Sequence, residues 1–166
     1  MLLNITRLNC RAPYTLWQGK HPFEYFFKTD FGGLFNVAFS ENDIIWSKGA
    51  YEFGIFNLTN NNSPNDPKLK QTIIAIIEEF FHDNPNVLLY QCETGDNRQA
   101  MRARLFQRWF DGYEKKDRYF IRVVMIKDED VENYDAIIVR RDNPDFDIIV
   151  SEFERFAEEM KSKPHL

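Results

Sequence analysis

The chain has little of what marks several functional classes. It carries two cysteines, Cys10 and Cys92, far apart and in no C-x-x-C or Cys/His group of zinc-site spacing, which argues against a disulfide scaffold or a structural zinc module. His21, His82 and His165 are scattered, none with a partner at metal or triad spacing. No apolar run approaches the roughly 20 residues of a membrane span, and the opening MLLNITRLNCR holds no continuous apolar segment of signal-peptide length. A soluble cytoplasmic chain with reduced thiols is expected. In that setting the Asn-x-Ser/Thr patterns at Asn4, Asn57 and Asn61 carry no glycan. Net positive charge is lacking too: a formal charge of -5 and a pI near 5.3 argue against broad attraction to nucleic acid or an anionic membrane. No cofactor or metal is expected. With no internal repeat and no low-complexity linker, the 166 residues read as one domain over 1–166.

Aromatic residues are abundant. Sixteen Phe, seven Tyr and three Trp suit a packed core and exclude a disordered chain. The region 13–58 reads as strands over 14–17, 23–28, 34–39 and 51–58, punctuated by Gly19, Gly32-Gly33 and Gly49. The turn at 30–33 has two glycines that can supply the positive φ of a tight hairpin, and Ile44-Ile45-Trp46 is an apolar island. Polar residues 59–66 close this region. Asp66-Pro67 supplies a cap and first-turn proline for a helix over 67–82, with Leu69, Ile73, Ile76, Ile77 and Phe80 on its apolar face. A strand-turn-helix follows over 87–113, then a hairpin over 119–140 and a last helix over 145–161, in which Phe146, Ile149, Phe153, Phe156 and Met160 repeat at helical spacing. The expected fold is α+β, an antiparallel or mixed sheet of about six or seven strands packed by three helices.

The segment 87–113 organises the reading. Val87 to Tyr90 suit a strand buried on both faces, and Asp96 with Gln99 forms a capping box for the helix. Leu105, Phe106, Trp109, Phe110 and Tyr113 then share a face. Arg98 and Arg102 fall in the sector of Leu105 and Trp109, which predicts two guanidinium groups on a core-facing stripe. The segment from Asp96-Asn97-Arg98-Gln99 through Arg102, Arg104-Leu105-Phe106 and Trp109-Phe110 resembles a family of small uncharacterised bacterial proteins, a domain of unknown function. The opening strands from Pro13 and the helix around Thr72-Ile73-Ile74 carry the same resemblance, so it spans 13–113. It implies a bacterial origin and one recurring domain, and it assigns no catalytic or binding residue.

Three chemistries compete at this segment. Cys92 and Arg98, spaced C-x-x-G-x-x-R between strand and helix, match the arrangement of cysteine-dependent phosphatases, with Cys92 as nucleophile and Arg98 as phosphoryl clamp. Glu93 and Asp96 would put negative charge inside that anion-binding loop, and Gln91 and Gln99 replace the usual His and Ser/Thr. The second reading holds Arg98 and Arg102 by carboxylates such as Glu93 or Asp96, or by a neighbouring hairpin, or leaves one arginine to bind the carboxylate or phosphate of a ligand. The third uses Arg104 and Arg108 on a basic helix to track nucleic acid, against the dilution of Asp111 and Glu114. Asp128, Glu129, Asp130 and Glu132 lack the spacing of a calcium loop and read as an exposed turn. Tyr14, Trp17 and Trp46 are candidates for an exposed aromatic contact. The leading expectation is a non-enzymatic domain that binds another protein or a small anionic ligand through Arg98, Arg102, Asp96 and Glu93, with the phosphatase and nucleic-acid readings as alternatives.

Overall fold

The computed structural model describes residues 3–42, 49–59, 65–92, 98–128 and 131–162. Among the described residues, seven strands form one mixed sheet in the order β1-β2-β3-β4-β5-β7-β6, accompanied by four α-helices, which makes the fold α+β. Among the described residues no helix is long and apolar enough to cross a membrane. The chain divides into two compact units, Met1–Ser40 with Phe53–Pro85 and Glu41–Glu52 with Asn86–Leu166.

The first unit holds α1 (Ile5–Asn9), β1 (Leu16–Gln18), β2 (Glu24–Lys28), the greater part of β3 (Leu34–Asn42) and of β4 (Ala50–Asn57), and α2 (Pro67–Asp83). Strands β1, β2 and β3 pair antiparallel, with Leu16 opposite Phe27 and Tyr25 opposite Val37. Alternation along them buries Tyr25, Phe27, Phe35, Val37 and Phe39. Phe39 then stacks on Phe80 of α2 at 5.6 Å. The β2–β3 turn needs a positive φ at one glycine only, Gly32 at +81°. Asp66 caps α2 by accepting from the Lys68 amide at 3.0 Å, and its second oxygen accepts from the Tyr14 hydroxyl at 2.7 Å. Tyr14 is therefore a buried structural group and not an exposed contact residue.

Helix α1 was not expected from composition, although Asn4 is an N-cap residue and accepts from the Arg7 amide at 3.0 Å. Tertiary contacts hold this short element. The Leu3 amide donates to the Tyr25 hydroxyl at 2.8 Å, and Arg7 and Arg11 both donate to the fully buried carboxylate of Glu79 on α2. A carboxylate taken out of water needs such charge-assisted partners.

The second unit holds β5 (Val87–Gln91), α3 (Gln99–Asp111), a 3-10 turn (Lys116–Arg118), β6 (Tyr119–Asp128), β7 (Val131–Arg140) and α4 (Phe146–Ser162). Both β5 and β6 pair antiparallel with β7. They therefore run parallel to each other, but β7 lies between them, so the β-α-β segment around α3 is split by the returning hairpin strand. Ile137 and Val139 of β7, with Val87, Val124 and Ile126, pack under Ile149, Phe153 and Ala157 of α4. On β5, Tyr90 meets Phe106 of α3, their rings 4.6 Å apart.

Helix α3 departs from the sequence expectation. It begins at Gln99 with Arg98 as N-cap and no side-chain capping bond from that residue; Asp96, expected as the cap, lies outside the described residues. Gln99, placed in the expected capping box, instead donates its Nε2 to the Glu132 carbonyl at 3.0 Å. The buried stripe is Gln99, Ala103 and Phe106, whereas Leu105 is exposed. Four- and three-residue steps through small Ala103 set the contact face, and the larger apolar residues beside it lie at its margin.

Candidate functional site

Of the residues expected to form the site, Cys92, Arg98 and Arg102 are described, while Glu93, Asp96, Trp46 and the turn residues Glu129 and Asp130 lie outside the described residues. Cys92 follows the last residue of β5; its amide donates to the Tyr134 carbonyl at 3.0 Å and its side chain is buried. Burial pushes the thiol up to about 11, against the opposing pull of a hydrogen bond from Tyr90 and the positive charge of Arg102. Arg98 is exposed and Arg102 half-buried, so Arg98 is not core-facing, and neither side chain is without a partner. Gln99 Oε1, beside them in sequence, is buried and accepts no hydrogen bond from the described residues. Arg104 and Arg108 are exposed, which places them on the solvated face of α3. Trp17 is 46% exposed and stacks on Phe26 with ring centroids 6.1 Å apart.

A cleft of about 410 Å³ opens in the second unit on the α4 side of the β5–β7 pair, a size within the range of ligand pockets. Its apolar wall comes from Leu89, Ile126 and, on α4, Phe153, Phe156 and Met160. Its polar end comes from Asp135 and Asn133 of β7, Gln91 of β5, Glu52 of β4 and Asn42 of β3. The strand period explains the mixture: Asp135 shares a face with Ile137 and Val139, so β7 carries a carboxylate onto the face that α4 covers. Burial raises the pKa of Asp135 above the ordinary carboxylate range; a hydrogen bond from Gln91 opposes this, and the negative charge of Glu52 adds to it. Glu52 accepts from the Asn42 side-chain amide at 2.7 Å. No described group of three or more His, Cys, Asp or Glu residues could hold a metal ion. The arrangement offers one half-buried carboxylate, Asp135, and one exposed, Glu52, beside an apolar wall.

Neither Asp135 nor Glu52 figures in the expected site. The available signal is parity: in Tyr134-Asp135-Ala136-Ile137-Ile138-Val139 the one acidic residue alternates in phase with two β-branched residues.

A family model matches residues 65–155, more than half of the chain. The chain belongs to DUF6169, a family of unknown function. The DUF6169 span runs from the cap of α2 into α4 and holds Gln91, Asp135 and Phe153 of the cleft. It does not reach the strands before residue 59, part of the stretch 13–113 that carries the resemblance. No characterised protein and no solved structure matches the chain.

The state of Cys92 in this DUF6169 protein is open to direct measurement. At pH 8 a thiol raised to about 11 holds roughly a hundredfold less thiolate than an unperturbed one. In folded protein Cys92 should therefore be alkylated at least about a hundredfold more slowly than exposed Cys10. Mass-resolved labelling of the wild type and of Cys10→Ser measures both rates. Rapid labelling of Cys92 that disappears with Arg98→Ala would restore the nucleophile reading.

Proposed function

We propose that the chain is a non-enzymatic interaction domain, and that the cleft of the second unit receives a basic side chain of a partner protein, its charge at Asp135 and Glu52 and its apolar neighbour against Phe156 and Met160. The single observation that carries this reading is a half-buried carboxylate at the end of an apolar cleft, its pKa raised by burial and by a second negative charge. The like charge of Glu52 disfavours the ionised form of half-buried Asp135, and an entering cation favours it while the apolar wall takes up the stem of a lysine or arginine. The setting proposed is a bacterial cytoplasm, of which the two free thiols support only the reducing compartment.

A second reading keeps the anion site at the start of α3. It is supported by a 13-residue helix that begins without a side-chain cap and carries Arg98 and Arg102 at its first turn, where both the backbone amides and the charges favour an anion. Glu93 and Asp96 would then adjust its affinity.

Calorimetric titration separates the two. A short peptide with arginine beside phenylalanine should bind, and replacing the arginine by neutral citrulline should weaken it at least about tenfold, the effect of losing about 1.4 kcal/mol. Asp135→Asn should weaken the arginine peptide similarly and leave the citrulline peptide unaffected. Equal affinity for the two peptides would remove the cation site. Inorganic phosphate tests the second reading: binding that weakens with salt and is lost in a folded Arg102→Ala protein would support it, and heat of binding unchanged in that variant would not.

A further inference from the structure

Strand β6 ends the strand order, with β7 as its one neighbour. Its pairing with β7 is continuous over ten residues, from Tyr119 opposite Arg140 to Asp128 opposite Val131, without a bulge. It contains no proline. Proteins usually blunt long edge strands by bulges, prolines or charges, because an open edge pairs with other chains. Here the charge in the middle of the strand, Arg122, is engaged by Glu154 of α4 at 3.0 Å.

The direction of each backbone group follows from the register. The Arg141 amide donates to the Arg118 carbonyl at 2.9 Å, which makes 118 and 141 a hydrogen-bonded pair one step before Tyr119 opposite Arg140. By the alternation of an antiparallel ladder, the even-numbered residues of β6 bond to β7 and the odd-numbered ones turn their N–H and C=O groups outward. The outward carbonyl of Tyr119 accepts from the Arg141 side chain at 3.1 Å. The next outward groups belong to Ile121, Val123 and Met125, for which the described residues supply no bond on that side. Met125 is also 42% exposed.

We propose that this edge pairs with the same edge of a second copy of the chain, antiparallel about a two-fold axis at Val123. That register sets Val123 opposite Val123 and Ile121 opposite Met125, joining outward residues to outward residues so that the donors and acceptors match. Phe120 then lies opposite Ile126, and Arg122 lies opposite Val124 with its own carboxylate partner retained. The strand is apolar on both sides of its centre, so it is complementary to itself; no like charges lie directly opposite one another within 120–126, and the two diagonal Arg122 side chains each keep Glu154 as partner. Sheet extension of this kind uses main-chain bonds for affinity and alternate side chains for register.

Two variants at the axis test the pairing. Val123→Pro removes an N–H that points away from β7 and leaves the β6–β7 ladder its bonds; Val123→Lys sets two ammonium groups opposite one another. Sedimentation equilibrium of the wild type is expected to give twice the 19.8 kDa chain mass, and both variants, folded by circular dichroism, the chain mass. In wild-type protein, amide exchange at Ile121, Val123 and Met125 should be slow at high concentration and fast on dilution. A wild type that remains at the chain mass up to millimolar concentration would overturn the proposal. So would a doubled mass retained in both variants, or a dimer whose three amides exchange freely.

Discussion

The second unit depends on the burial of β7 on both faces. Ala136, Ile137, Ile138 and Val139 are all buried, with hydrogen bonds to β5 on one side and to β6 on the other. A strand in that position must be apolar throughout, and this one is until Asp135. The change from apolar to acidic occurs on the face that α4 covers, so the same strand that anchors the core also delivers a carboxylate to the cleft. The cleft results from that change. Phe153 belongs to both the core and the cleft wall, and a loss of packing there would alter the polar end as well.

The electrostatics of the rim follow from the same placement. A carboxylate on a covered sheet face loses hydration, and Glu52 adds a like charge, so Asp135 holds its proton to higher pH than a free aspartate. For a group raised in the folded state, the stabilising contribution is complete below the unfolded pKa and is lost as pH rises through the folded one. The cleft is thus least comfortable when empty and ionised. A cation reverses the balance by favouring the charged form, and a site with this property is suited to holding a basic group. Cys92 is shifted in the same direction, a buried thiol that desolvation holds toward its neutral form.

Much of the fold was legible because periodicity and punctuation agreed. Asp66-Pro67 fixed the start of α2, the spacing of Ile149, Phe153 and Phe156 fixed α4, and the two β-rich runs at 119–140 form the hairpin β6–β7. The failures have physical causes. Helix α1 is too short to show a period and is held by Arg7 and Arg11 on buried Glu79, long-range pairs that no local pattern announces. Gln99 satisfies the rule for a capping box, whereas its side-chain amide donates to the Glu132 carbonyl, 33 residues away. The arginines and the cysteine at 92–102 stand out in a linear reading, and nothing in the fold decides their role. Asp135 and Glu52 gain their meaning from strand phase and from the neighbours that α4 supplies.

The measurement closest to the central claim is the titration of the Asp135 carboxyl itself, followed by carbon-detected NMR in free protein and in protein saturated with the arginine-bearing peptide. The account predicts a titration above the ordinary aspartate range in the free protein that moves down when the cation binds. An Asp135 that titrates as a free aspartate does, or whose titration stays unmoved while the peptide is bound, would contradict it.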